Sequence, residues 1–405
     1  MQIRFDALIV GAGPAGSSAA IRLAMAGWSV GLVEQHDYPR RKVCGECVAA
    51  SNFPLLDALG VGSSFQAQAG PPLHRVALMR ARATVEADLP PAAHPHHAWG
   101  RALSREVLDT LLLDRARKVG VVVLQPWAVQ QIGGTLGAHH CTVREGGSNR
   151  VERLQARVAI LANGSWEPLP AERTARRVTR RAGDLLAFKA HFQGGALSAG
   201  ILPVLAFDGG YGGMVQADQG LLSVACCIRA DRLWQLRQAA PGKSAGDVVE
   251  AMLRSECHGV ARALEGAHRK GAWIGSGPLA TGVHLRSDDP VFRIGNAAGE
   301  AHPIIGEGMS MALQSAWLLC EQLVRARPAD GIGAAGTWQR GVHEHYAAQW
   351  RRHFLPRMRL AAAFAHLAMK PATAAALVQL LRHWPALLTR GAVWGGKVRS
   401  IQGYP

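Results

Sequence analysis

The sequence predicts an α/β (α+β) protein with a Rossmann-like dinucleotide-binding domain, an inserted antiparallel β-sheet domain, and C-terminal helices. Three observations predict it. A glycine-rich turn stands in register between strand-like and helix-like runs near the start, alternating apolar pieces fill the middle, and amphipathic helical spacing takes over after about Asp330. On this reading residues 1–75, 100–172 and 270–330 form the dinucleotide domain, 76–99 and 173–269 the inserted substrate-binding sheet, and 331–405 the helical region.

"FDALIVGAGPAGSSAAIRLAMAGWSVGLVEQ" reads as a strand ending at Val10, a glycine turn, a helix to about Ala26 closed by Gly27, and a second strand from Ser29 to Val33. Gly11, Gly13 and Gly16 match G-x-G-x-x-G. The first allows the tight turn, the second lets backbone approach a pyrophosphate, and the third lets helix and strand pack closely. Pro14 suits a first helical turn. Glu34, at the end of the second strand, is spaced to accept from a ribose hydroxyl.

"RRKVCGECVAA" follows about ten residues later. Its Cys44 and Cys47 could be a redox pair, half of a metal site, or part of a loop lying against a cofactor. No second Cys-x-x-Cys or His pair stands at structural-zinc spacing, and no strand precedes the motif as a thioredoxin-type pair requires. The expectation is a cofactor-contact loop with Cys44 nearest the ligand and no obligatory disulfide. Seven cysteines without framework spacing fit a reducing compartment.

Four blocks carry a family resemblance: "VGAGPAG", "RRKVCGECV", "GRALSREVLDTLLLDRA" and "VFRIGNAAGEAHPIIGEGMSMALQSAWLLCEQL". Together they resemble the FAD-dependent oxidoreductases that include geranylgeranyl reductases, flavin-dependent halogenases and aromatic-ring monooxygenases, which share the fold of p-hydroxybenzoate hydroxylase. The resemblance reaches to about residue 330 and implies FAD as cofactor, reduced by NADPH or NADH, the expected donor, or by another protein. In the third block, Arg105, Leu108 and Asp109 match an Arg-x-x-Leu-Asp pattern that implies a place for Arg105 at the FAD diphosphate or ribitol. In the fourth, Gly295-Asn296 stands where relatives have Gly-Asp, and the glycine-rich loop with His302-Pro303 leads into a helix near Gly306 to Gly308. Such a helix start presents free N–H groups and a positive dipole end to a flavin. The expected FAD contacts are Gly11, Gly13, Pro14, Ala15, Gly16, Glu34, Lys42, Cys44, Arg105, Gly295, Asn296, Gly306, Gly308 and Met309. The expected catalytic residues are Cys44, Glu46, Tyr211 and His302, and no metal is expected.

The middle pieces "LLAFKAHFQ", "GGYGGMVQA" and "GLLSVACCIRA" read as strands of the inserted sheet, with Lys189 and His191 on one face. "GGYGGM" resembles the family hairpin that faces the flavin pocket. Gly213 in place of the usual Trp argues against a halogenase and for a wider pocket. His139-His140 reads as a turn, and "HPHH" at 94–97 as a loop. "LANGSW" closes a strand beside the adenine half. The last region, broken by Pro371 and Pro385, reads as helices that either pack over the other domains or meet a membrane surface through a basic face.

The net charge of +16 favours anionic partners, and its clusters "ERTARRVTRRAG" and "RRHFLPRMRL" lack the aromatic interleaving of a nucleic-acid surface. No apolar stretch approaches the roughly 20 residues that span a bilayer, so the expected localisation is cytoplasmic. The resemblance implies first a monooxygenase acting through a flavin C4a-hydroperoxide on a lipophilic, aromatic or polyketide-like substrate of secondary metabolism, in some cases presented on an acyl carrier protein. Double-bond reduction of the geranylgeranyl reductase type is the alternative. Halogenation and a non-catalytic or electron-transfer flavoprotein follow.

Overall fold

In the computed structural model the chain is described over residues 3–94, 96–164, 181–286, 289–327 and 336–394. The arginine-rich run Glu172 to Arg180 and the end of "LANGSW" lie outside the described residues.

The first sheet is parallel at its centre: helical connections return Val30–Val33 and Val122–Leu124 in the direction of Ile3–Val10, and an antiparallel pair of strands brings Val151–Leu161 back in that same direction. Strand Ile3–Val10 lies between Val30–Val33 and Val151–Leu161, with Val10 in register with both Val33 and Leu161. Val122–Leu124 extends one side, and Phe292–Arg293 pairs with the end of Val151–Leu161. The antiparallel strands Trp127–Thr135 and Ala138–Glu145 complete the other side. His139 and His140 therefore belong to a strand rather than to the expected turn, because each pairs in register with the strand Val151–Leu161. Helix Pro14–Met25 opens directly after the glycine turn, and Gly27 ends it at φ +78°. Its buried alanines, with Ile21 and Leu23, pack against helix Gly308–Ala326 in the main core.

The second sheet runs His268–Ser276, Leu185–Gln193, Leu222–Arg229, Gly210–Gln216, Ile201–Phe207, Arg75–Arg80, Ala83–Asp88. Its pairs are antiparallel except Ile201–Phe207 with Arg75–Arg80, which are parallel. It also continues through His268–Ser276, past the expected limit at residue 269, since that strand pairs with Leu185–Gln193 from Gln193 back to Ala187. One face is covered by helices Ala230–Gln238, Ala245–Glu256 and His258–Ala263. The other meets the C-terminal helices Thr337–Met369 and Pro371–His383, through Ala365, Ala368, Val378 and Leu381. Pro371 starts a new helix where it cannot continue the old one, and the axes turn by 105° there.

Candidate active site

A cavity of about 520 Å³ begins at the glycine turn and continues between the two sheets to the C-terminal helices. At its polar end are Gly11, Gly13, Pro14, Ala15 and Glu34, with Arg40, Lys42 and Arg105. The backbone makes room there. A Cβ built on Gly13 would meet only the Arg105 guanidinium, at 3.6 Å, whereas one on Gly16 would sit 1.8 Å from the Gly11 carbonyl oxygen. Gly13 thus leaves space for a ligand, and Gly16 serves the close packing of helix and turn without lining the cavity. Glu34 is buried and accepts from the Ala12 N–H at 2.8 Å and the His36 N–H at 2.9 Å. That fixes its carboxylate over the turn.

Arg105 opens helix Arg105–Lys118 and donates from Nε and Nη2 to both oxygens of Asp109, at 2.7 and 2.6 Å. Burial disfavours its charge, but Asp109 overrides this and keeps the guanidinium firmly protonated. A buried arginine, a lysine, an acid at ribose spacing and a helix start with unpaired N–H groups form a donor set that fits an adenine dinucleotide.

The "CGEC" loop forms the next stretch of wall. Cys44 is half-buried at the cavity, Cys47 is buried in a short strand paired with Arg101–Ala102, and neither is in a disulfide. Glu46 has a positive φ of 58°, a conformation that needs strong local contacts in a non-glycine residue. Those contacts come from far along the chain. Lys189 Nζ donates to Glu46 Oε1, His191 Nε2 lies 2.8 Å from Oε2, and the Arg105 backbone N–H donates to Oε1 at 2.9 Å. Burial opposes charge on Glu46, but the His191 hydrogen bond and the Lys189 ammonium outweigh it and bring its pKa down to about 2. Glu46, Glu106 and His191 lie close enough to suggest a cation site, yet the Lys189 ammonium already supplies the positive charge. Lys189 and His191 share a strand face, as expected, and that face is turned to Glu46.

Across the cavity lie Gly295, Asn296, Gly306, Gly308 and Met309. Gly306 takes φ +65°, which returns the loop into helix Gly308–Ala326. The start of that helix is held by buried Glu307, ion-paired to Arg357 at 3.3 Å from the long C-terminal helix. Tyr211 lines the cavity, and its hydroxyl lies 3.1 Å from His302 Nδ1. Burial, then the neighbouring Cys227, pushes the Tyr211 phenol well above its ordinary value. Burial and His366 bring His302 down to about 4. Both are neutral near pH 7. His302 itself is absent from the lining residues and reaches the cavity through Tyr211. The expected cofactor and catalytic positions are otherwise gathered around this one space.

Residues 4–331 match a family described as "FAD binding domain". The chain belongs to that family. It is an FAD-dependent oxidoreductase with the mixed α/β fold of flavin halogenases and monooxygenases. A menaquinone reductase of Mycolicibacterium smegmatis is 26% identical over 370 residues, which cover 86% of this chain and 82% of that protein. The myxobacterial chondrochloren halogenase superposes with a TM-score of 0.73 at 20% identity, covering 87% of this chain and 80% of the other. A probable FAD-dependent monooxygenase from Pseudomonas aeruginosa gives 0.67 at 17% identity, covering 93% and 100%. The glycine turn, Glu34, Lys42 and Arg105 at the polar end of the cavity fit FAD.

Sequence reasoning missed the far end of the cavity in this FAD-binding protein. Phe364, Ala368, Leu377, Leu381, Leu388 and Trp394 extend its wall from the C-terminal helices. Their only local signal is helical apolar spacing, which is the same whether a helix faces a core or a ligand.

Proposed function

We propose that this flavoprotein reduces a carbon–carbon double bond in a long lipophilic substrate. The observation that carries the reading is the cavity's shape and lining. It starts at the dinucleotide cradle, passes Cys44 and Tyr211, and runs on as an apolar channel between Leu377, Leu381 and Leu388. A long apolar chain gains about 0.8 kcal/mol for each buried methylene, so such a channel selects for length. The similarity to a menaquinone reductase over most of both chains supports a reduction and a lipophilic substrate.

FAD, when bound, supplies the electron pair. The glycine turn, Glu34, Arg105 and the Gly306 to Met309 helix start are the residues that would hold it. A double bond that takes up a hydride also needs a proton. Tyr211 keeps a proton on Oη at the cavity wall, and His302 Nδ1 orients that hydroxyl. The apolar wall excludes water from the reacting atoms. The electron donor in this reading is NADH or NADPH.

A second reading, hydroxylation of an electron-rich ring, has its own support. Gly213, where a Cβ would meet only the Pro203 carbonyl oxygen at 3.2 Å, leaves the cavity wall two residues from Tyr211 without a side chain, which favours a flat ring there. One experiment separates the two. The FAD-loaded protein is given a polyprenyl quinone or a long-chain alkylphenol with NADPH, NADH or dithionite, with and without oxygen, and products are read by mass. A gain of two hydrogens without oxygen supports reduction. A gain of one oxygen atom only in air would replace it with hydroxylation.

A further inference from the structure

We propose that the outer surface of the last two described helices docks on a lipid bilayer carrying anionic headgroups, placing the cavity mouth against the membrane. The inference rests on the lipophilic substrate proposed above and adds where that substrate comes from.

Helices Pro371–His383 and Ala386–Trp394 form one wall of the cavity. Leu380, Leu387 and Trp394 line it and are 42, 36 and 55% exposed, so the cavity opens to the outside between these helices. Trp384, in the bend joining them, is 60% exposed. A soluble surface rarely leaves two tryptophans and two leucines so close together uncovered. Tryptophan is the side chain that prefers the headgroup layer, with its ring in apolar surroundings and its N–H in water.

Charge selects the occupant. From His345 to Trp394 the chain holds seven Lys or Arg and no Asp or Glu. Arg382, Arg390 and Lys370, all exposed, flank the apolar group. The charged side chains that these helices carry around the apolar centre are all basic, with Asp88 of the adjoining strand beside Thr389, and this basic excess complements a surface of anionic headgroups over an acyl interior. A second copy of this chain would bring like charges together at the same rim. No single described helix is long and apolar enough to cross a bilayer, and the pair Thr337–Met369 and Pro371–His383, which is apolar enough only when taken together, is bent by 105° and buries Ala365, Ala368, Val378 and Leu381 against the sheet; the contact proposed is therefore with the bilayer surface. A long lipid could then pass from the bilayer into the cavity without entering water.

The test is flotation of the full FAD-loaded chain with vesicles of phosphatidylcholine alone or mixed with phosphatidylglycerol. Trp384→Ser and Arg382→Glu are compared with wild type, because neither residue lines the cavity. Their flavin content and Tm verify folding. The expected result is binding to the anionic vesicles, weaker binding to the neutral ones, and a loss of about tenfold in affinity in each variant. No binding to either vesicle, or binding that Trp384→Ser leaves unchanged, would overturn the proposal. So would a dimer in solution that Trp384→Ser dissociates, or capture by an acidic acyl carrier protein without vesicle binding. Vesicle binding is read without substrate. A failure of the reduction reading alone would therefore appear as intact docking with no product from detergent-dispersed substrate.

Discussion

Lys189, in strand Leu185–Gln193 of the inserted sheet, is ion-paired with Glu46 of the cofactor loop, and both side chains are fully buried. The pair ties the wall of the substrate side to the loop that carries Cys44, and through the Arg105 N–H to the helix that positions Arg105. Glu46 therefore acts as a positioning residue for two parts of the cofactor site.

Removing one partner of this pair leaves a buried charge. Lys189→Met should destabilise the protein by about 3–5 kcal/mol and lower flavin content, and Glu46→Gln with Lys189→Met should recover part of the loss. Urea unfolding of the singles and the double measures the coupling. Simple additivity would show that the two residues do not act as a pair.

The pH dependence of Glu46 has a defined sign. Its carboxyl falls from an ordinary 4.5 to about 2 in the folded chain, so its contribution is complete above pH 4.5 and disappears as pH falls through about 2. Wild-type stability should decline over that window more steeply than that of the double variant. Parallel curves would remove Glu46 as the cause.

Gly13→Ala should fold normally and purify poor in flavin, because its Cβ meets no backbone and only a ligand would press against it. Gly16→Ala should fail earlier, at folding, with its Cβ 1.8 Å from a carbonyl oxygen. Thermal melts and flavin absorbance of the two variants distinguish these cases. Wild-type flavin in Gly13→Ala would place the diphosphate elsewhere.

For the pair Tyr211 and His302, Tyr211→Phe should lower turnover by about 10²–10⁴-fold while leaving flavin content unchanged. His302, with its value reduced to about 4, stays neutral as pH falls through the range where an ordinary histidine would charge. The His302-dependent limb of the pH profile should lie near 4, and His302→Gln should remove it. A limb near 6.5 would mean that His302 is solvated during turnover.

Cys47 is buried beside a strand pair while Cys44 faces the cavity, and neither is in a disulfide. Anaerobic dithionite titration should take up two electrons per FAD in both wild type and Cys47→Ala. An uptake of four in wild type, falling to two in the variant, would establish a dithiol couple.

What the sequence alone determined is local. Gly11, Gly13 and Gly16, Pro14 and Glu34 announce the dinucleotide turn because its geometry is written within about 25 residues, each type being demanded by a nearby backbone need. Gly306 and the helix after it are legible for the same reason. The strands around Lys189, Tyr211 and Cys226 were readable from alternation, which reports a half-buried surface without naming its partner. Tertiary structure decided the rest. It brought Lys189 and His191 to Glu46 across more than a hundred residues, turned His139 into a buried strand residue, and laid Leu377, Leu381 and Leu388 along the cavity. Helical periodicity shows which side of a helix is apolar, but only the packing of helices against sheet decides whether that side fills a core or lines a channel.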